Sequence, residues 1–135
     1  MASVNVRWIG GKQFVGIDST NHSVVLSTAD EGVGMKPSEL LLVALASCTA
    51  VDVVEILRKK RCELRALTVR ADADQDSDPP WTFRKIHLAY RLEGKGLSEE
   101  GVRQAIELSE EKYCSVSATV RGVAEITYSY EVVSE

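Results

Sequence analysis

Histidine is scarce in this chain. Only His22 and His87 occur, neither in an H-x-x-x-H arrangement, and there is no C-x-x-C. A zinc site would have to gather scattered ligands, so no metal is expected. The phosphate-cradling patterns G-x-G-x-x-G and G-x-x-x-x-G-K-[ST] are missing too, because Gly94-Lys95-Gly96 lacks the rest of either. No cofactor held by such loops is expected. Without G-x-S-x-G, the serines have no nucleophile elbow. Positive charge is in short supply: 16 Lys and Arg stand against 20 Asp and Glu, giving a net charge of -4 and a pI near 5.3. That balance argues against nucleic acid as a partner. The basic cluster Arg58 to Arg61 falls at the end of a predicted helix, where cations complement the dipole.

The opening M-A-S-V-N-V-R-W-I-G-G lacks the basic start, apolar core and cleavage site of a signal peptide, so a cytosolic, cytoplasmic location is expected. Three cysteines, Cys48, Cys62 and Cys114, make a permanent disulfide framework an unsuitable reading, and any disulfide should be transient. The longest apolar run is interrupted by Asp52 and Glu55 before the roughly 20 residues a bilayer requires. No membrane partner is expected.

What the chain does contain is enough apolar residue, 44%, balanced by 27% charge, for a single domain over residues 1–135. Between Leu40 and Val54 apolar side chains lie on every side, the pattern of a buried central helix, here predicted from Pro37 to Arg61. Before it, Val4, Val6 and Trp8 alternate with polar residues, and strands at Gln13–Asp18 and Val24–Leu26 complete a meander. After it, alternation over Leu64–Ala73 and Thr82–Glu93 predicts a hairpin. Leu97-Ser98-Glu99-Glu100 announces an amphipathic helix with Ser98 as N-cap and Leu97 stapled to Val102. Ala124 to Val132 alternates as a final strand. The order βββ-α-ββ-α-β defines an α+β fold.

Cysteine chemistry remains. A thiol attacks as thiolate, and Cys48 sits mid-helix, where the dipole does not help and burial opposes ionisation, so it needs a nearby cation. With one, it could attack the O–O bond of a peroxide and leave a sulfenic acid that a second thiol condenses to a disulfide. Cys114, at a helix end in a loop-like Y-C-S setting, is a candidate second thiol. Taken alone, Cys48 reads first as inert core packing and only second as a nucleophile, since free cysteine is among the most buried residue types. Cys62 reads as incidental, and the two histidines as surface or packing residues.

The stretch P-S-E-L-L-L-V-A-L-A-S-C-T-A-V-D-V-V, followed downstream by E-K-Y-C-S-V-S, resembles the OsmC/Ohr family of thiol-dependent peroxidases, and most of all its YhfA-like branch. The element order also matches, over nearly the whole chain. The resemblance implies a two-cysteine peroxidase for organic hydroperoxides, and sometimes hydrogen peroxide. Cys48 in A-S-C-T would be the peroxidatic cysteine and Cys114 in K-Y-C-S the resolving one. It further implies an intertwined homodimer that encloses the central helices and has active sites at the interface. The restoring dithiol would be a dihydrolipoyl protein or thioredoxin-like donor. The Ohr branch has an arginine after a Gly-Gly pair, where this chain has Lys12, which carries charge without the bidentate fork. Arg7 is the substitute candidate. A glutamate of that branch follows the helix-starting proline directly, whereas here Ser38 follows Pro37 and Glu39 comes one later, as catalytic acid or as first-turn acid. Two other readings share the same cysteines: a non-catalytic dimer binding a hydrophobic ligand, and a redox sensor.

Overall fold

A computed structural model describes residues 2–135. The chain divides into two compact units, the first ending at Leu42 and the second spanning Val43–Glu135.

In the first unit, β1 (Asn5–Gly10), β2 (Gln13–Ile17) and β3 (Ser23–Ser27) form the expected antiparallel meander in the order β1-β2-β3. Gly10 and Gly11 adopt φ of 113° and 51°, which lets the β1–β2 turn close without a Cβ clash. The next turn is held by Asp18, whose carboxylate accepts from the backbone N–H groups of Thr20 and His22, both at 2.9 Å. The loop after β3 folds back on it. Ser27 Oγ accepts from the N–H of Gly34 at 3.0 Å, and Met35 bridges to Leu26. Any Cβ at Gly34 would lie 2.6 Å from the Val25 carbonyl oxygen, so this return needs glycine. Val4, Val6 and Trp8 remain exposed.

The central helix α1 (Pro37–Lys59) starts at the proline predicted for it. It ends in a Schellman closure: the N–H of Cys62 donates to Leu57 O and that of Arg61 to Arg58 O, both at 3.0 Å. Arg61 occupies the left-handed position at φ 61°, where glycine is favoured. Arg61→Gly is therefore expected to stabilise the chain by about 1 kcal/mol, seen as a raised urea midpoint at unchanged slope. A lowered midpoint would mean that the arginine side chain contributes more than its backbone costs.

Two sequence expectations about α1 need correction. The helix is 23 residues long and contains an 18-residue window of mean hydropathy 2.2, so it is not too short and interrupted to cross a bilayer by length and composition. Nor is it buried on all sides. Among the described residues of α1 the fully covered stripe is Leu45, Thr49, Val53 and Leu57, at a spacing of four; Leu42, Ala46, Ala50 and Ile56 are half-buried, and Val43, Val51 and Val54 are exposed.

In the second unit, β4 (Glu63–Gln75) and β5 (Phe83–Lys95) form the predicted antiparallel hairpin. Its loop is held by the ion pair of Arg84 with Asp76 at 2.9 Å. Helix α2 (Glu99–Leu108) begins at Ser98, whose Oγ accepts from Gly101 N–H at 3.0 Å, with Leu97 and Val102 both buried. The last strand, β6 (Glu125–Ser134), pairs parallel with β5, so the segment between them acts as a crossover. Ile86, Leu88, Tyr90 and Leu92 of β5 point into the core with Val102, Ala105 and Ile106 of α2. The crossover holds two elements beyond the sequence reading: a π-helical turn (Ser109–Tyr113) and helix α3 (Ser115–Val120).

Candidate active site

Cys48 lies midway along α1 and is half-buried. Its neighbour Thr49 is fully buried and donates its hydroxyl to Ala46 O at 3.0 Å, so it competes little for the thiol. One helical turn beyond Cys48, Asp52 accepts from Ser109 Oγ at 2.8 Å. This bond fastens the start of the π-helical turn to α1. Along that turn, the N–H of Cys114 donates to Ser109 O at 2.9 Å, the i to i+5 bond that defines it. Cys114 then leaves helical geometry, with φ -80° and ψ 107°, and caps α3 by accepting Ser117 N–H on Sγ at 3.2 Å.

The outcome is that Cys48 and Cys114 are neighbours, both as free thiols. Cys114 stands, as its sequence setting suggests, in irregular backbone at a helix end, but that position is buried. It is 2% exposed, and burial first, then the adjacent Cys48 side chain, pushes its thiol up to about 11. It is therefore protonated at neutral pH. Alkylation of native, reduced protein should be slowest at Cys114 and should quicken about tenfold per pH unit towards that value. Residue-resolved mass spectrometry after iodoacetamide treatment checks this. A Cys114 that reacts first near pH 8 would contradict the buried placement.

A polar cluster adjoins Cys114. Ser117 Oγ donates to Glu110 Oε2 at 2.9 Å, and the guanidinium of Arg121 donates to Ser117 Oγ at 3.3 Å and also to the Glu110 carbonyl. Burial raises the Glu110 carboxyl above its ordinary range, opposed by Ser117, Arg121 and Tyr90. Tyr90 comes in from β5. Burial raises its phenol, and Thr49, Glu110 and Cys114 are all near enough to influence it. Yet Tyr90 Oη and Glu110 Oε1 are buried with no hydrogen bond of ordinary length.

Of the residues chosen from sequence, Cys48 and Cys114 are thus brought together. Lys12, Arg7 and Glu39 belong to the first unit. Lys12 pairs with Asp30 at 3.0 Å, and its N–H donates to Glu31 at 2.9 Å, so it ties the β1–β2 turn to the following loop. Glu39 is in the first turn of α1 and pairs with Lys36 at 3.3 Å. Arg7 is exposed on β1. Cys62 donates to Gly96 O at 3.2 Å as part of the helix closure, and His87 bonds with Thr127 and Ser129 at 2.7 and 2.9 Å on the neighbouring strand. Glu110, Tyr90, Ser117 and Arg121 escaped the sequence reading. Glu110 carries no signal of its own in the sequence, and Tyr90 reads as one residue of the apolar alternation Ile86, Leu88, Tyr90 and Leu92. Among the described residues, no group of three or more His, Cys, Asp or Glu is arranged to hold a metal.

A mixed α+β chain with two adjacent thiols, one mid-helix and one capping a short helix, defines the class. The OsmC-like protein family model matches residues 28–129. Protein YhfA of Escherichia coli K12 is 33% identical over 129 residues, which is 96% of each chain. A hypothetical protein from Aquifex aeolicus VF5 superposes with a TM-score of 0.90 at 30% identity, covering 100% of this chain and 98% of its own. The organic hydroperoxide resistance protein OhrB of Bacillus subtilis has the same fold, with a TM-score of 0.64 at 17% identity over 97% and 98% of the two chains. The chain belongs to the OsmC-like family.

Proposed function

We propose that this protein is a two-cysteine thiol peroxidase that reduces organic hydroperoxides. The observation that carries this reading is the adjacency of Cys48 and Cys114. The half-buried Cys48 attacks the distal peroxide oxygen, the alcohol leaves, and Cys48 becomes a sulfenic acid. Cys114, protonated and shielded until then, condenses with it to a disulfide and releases water. A dithiol, a dihydrolipoyl protein or thioredoxin-like donor, restores both thiols by exchange. Family membership supports the redox chemistry, as does the name of the Bacillus neighbour. The apolar surroundings of α1 favour organic over very polar peroxides.

The active form in this reading is a homodimer. Val43, Val51 and Val54 form an uncovered apolar face on α1, the feature a second copy would bury. Activation of Cys48 by Lys12 or Arg7, and a catalytic part for Glu39, belong to the same reading. Lys12→Ala and Arg7→Ala rank the two cations by the rate of Cys48 oxidation. If neither slows it, the first unit does not activate the thiol.

A groove of about 300 Å³ beside α1, lined by Val43, Ala46, Ser47, Ala50, Leu67 and Val69, is what a non-catalytic ligand-binding protein would use. Consumption of cumene hydroperoxide by the reduced protein separates the readings. The peroxidase consumes one equivalent per chain without added reductant and many with dithiothreitol. A binding protein or a slow redox sensor does not turn over.

A further inference from the structure

A nucleophilic thiol and a resolving thiol do not account for the cluster around Cys114. Tyr90 is 2% exposed on the central strand, and its Oη is a buried hydroxyl without a partner. Glu110 Oε1 is buried and unpartnered as well. Phenylalanine at position 90 would avoid the desolvation of an unpaired hydroxyl, so stability alone does not explain a tyrosine there. The same residue that holds the carboxyl also holds the thiol: Ser117 donates its hydroxyl to Glu110 Oε2 at 2.9 Å and its N–H to Cys114 Sγ at 3.2 Å. The hydroxyl of Tyr90 has Thr49, Glu110 and Cys114 around it.

We propose that Tyr90 and Glu110 form a buried proton relay that takes the thiol proton of Cys114 as its sulfur attacks an oxidised Cys48. The inference rests on the peroxidase reading above. In this step a lone pair on Cys114 Sγ forms the S–S bond to Cys48. The S–O bond of the sulfenic acid breaks, and its electron pair leaves with the oxygen. The Cys114 proton passes through the Tyr90 hydroxyl to the Glu110 carboxylate, the departing hydroxide takes a proton from solvent to become water, and Glu110 then releases its proton to solvent, so that one thiol and one sulfenic acid give one disulfide and one water. Cys114 sulfur is oxidised and Cys48 sulfur reduced, so no further oxidant is required.

The groups facing Glu110 are Tyr90 from β5, Ser117 from α3 and Arg121 at the end of α3; Cys114 lies near Tyr90, and Cys48 of α1 near Cys114. Burial makes Glu110 a stronger base than an exposed glutamate, while Ser117, Arg121 and Tyr90 favour its ionised form. A thiol raised to about 11 needs such a base to react at neutral pH.

The test follows two steps separately in reduced protein given one equivalent of cumene hydroperoxide: sulfenic acid at Cys48, trapped with dimedone, and disulfide formation. Tyr90→Phe and Glu110→Gln are expected to form sulfenic acid within about twofold of the parent rate and to close the disulfide about 100-fold more slowly. Tyr90→Phe should leave the melting temperature close to that of the parent, because the ring packing is kept and Oη makes no hydrogen bond of ordinary length. In the unsubstituted protein, disulfide closure should rise through an ionisation well below 11, and in Glu110→Gln this should be replaced by a rate that climbs with hydroxide. Parental closure rates in both variants would overturn the relay. So would an unsubstituted protein whose closure simply tracks thiol ionisation near 11, a result that needs no variant to fold. If the unsubstituted protein forms neither sulfenic acid nor disulfide, the peroxidase reading itself fails and the relay falls with it.

Discussion

Cys48→Ser is expected to abolish hydroperoxide consumption, a loss of about 10³-fold or more, because a serine hydroxyl at neutral pH does not attack an O–O bond. The fold should survive. Cys48 is half-buried, the exchange is nearly isosteric, and such substitutions away from core features stay within roughly 0.5 kcal/mol. Cys114→Ser separates the two roles: Cys48 should still be oxidised once, but the sulfenic acid should persist instead of closing to a disulfide. Hydroperoxide remaining after mixing, with circular dichroism as the fold control, reads both results. Full consumption by the Cys48→Ser variant would remove Cys48 from the mechanism.

A charge at either of two positions two residues apart on α1 should have opposite consequences. Val53 is fully buried, and Val53→Asp places an unpaired carboxylate in the core, at a cost of about 3–5 kcal/mol or more. That is comparable with the whole stability of a typical domain, so this variant should be largely unfolded. Val51 is 63% exposed, and Val51→Asp should leave the chain folded. If a second copy covers that face, the same change should convert dimer to monomer in sedimentation. A folded Val53→Asp variant would contradict the packing of α1. A dimeric Val51→Asp variant would place the interface elsewhere.

The contrast shows where the sequence was legible. Strand alternation, Pro37 at the helix start and the Ser98 cap are local signals, and each appears in the structure where its chemistry places it. The helix limits came within two residues because the left-handed Arg61 ends α1, although no glycine marks the spot. All-round apolarity on α1, by contrast, reports that water is disfavoured without saying which chain supplies the cover, and within this chain one stripe is fully buried. The parallel β5–β6 pairing carries no local signature, since it depends on how the crossover returns.

For the site, the two cysteines were legible from their motifs, but the burial of Cys114 was not. Helix α3 has six residues, too few for a period to show, and the π-helical turn before it looks like the end of an ordinary helix. Tyr90, Glu110 and Ser117 stand on three separate elements and meet only through tertiary packing. Tyr90 in particular carries the same alternation signal as Leu88 and Leu92, so its hydroxyl was indistinguishable from core until its neighbours were known.

The adjacency of Cys48 and Cys114 is tested most directly by peptide mapping of the reduced protein after a slight excess of cumene hydroperoxide, with thiol loss followed in time. The account predicts rapid loss of two hydrogens, all of it in one disulfide between the Cys48 and Cys114 peptides, with Cys62 still free. Slow oxidation spread evenly over the three cysteines, or a disulfide that includes Cys62, would contradict it.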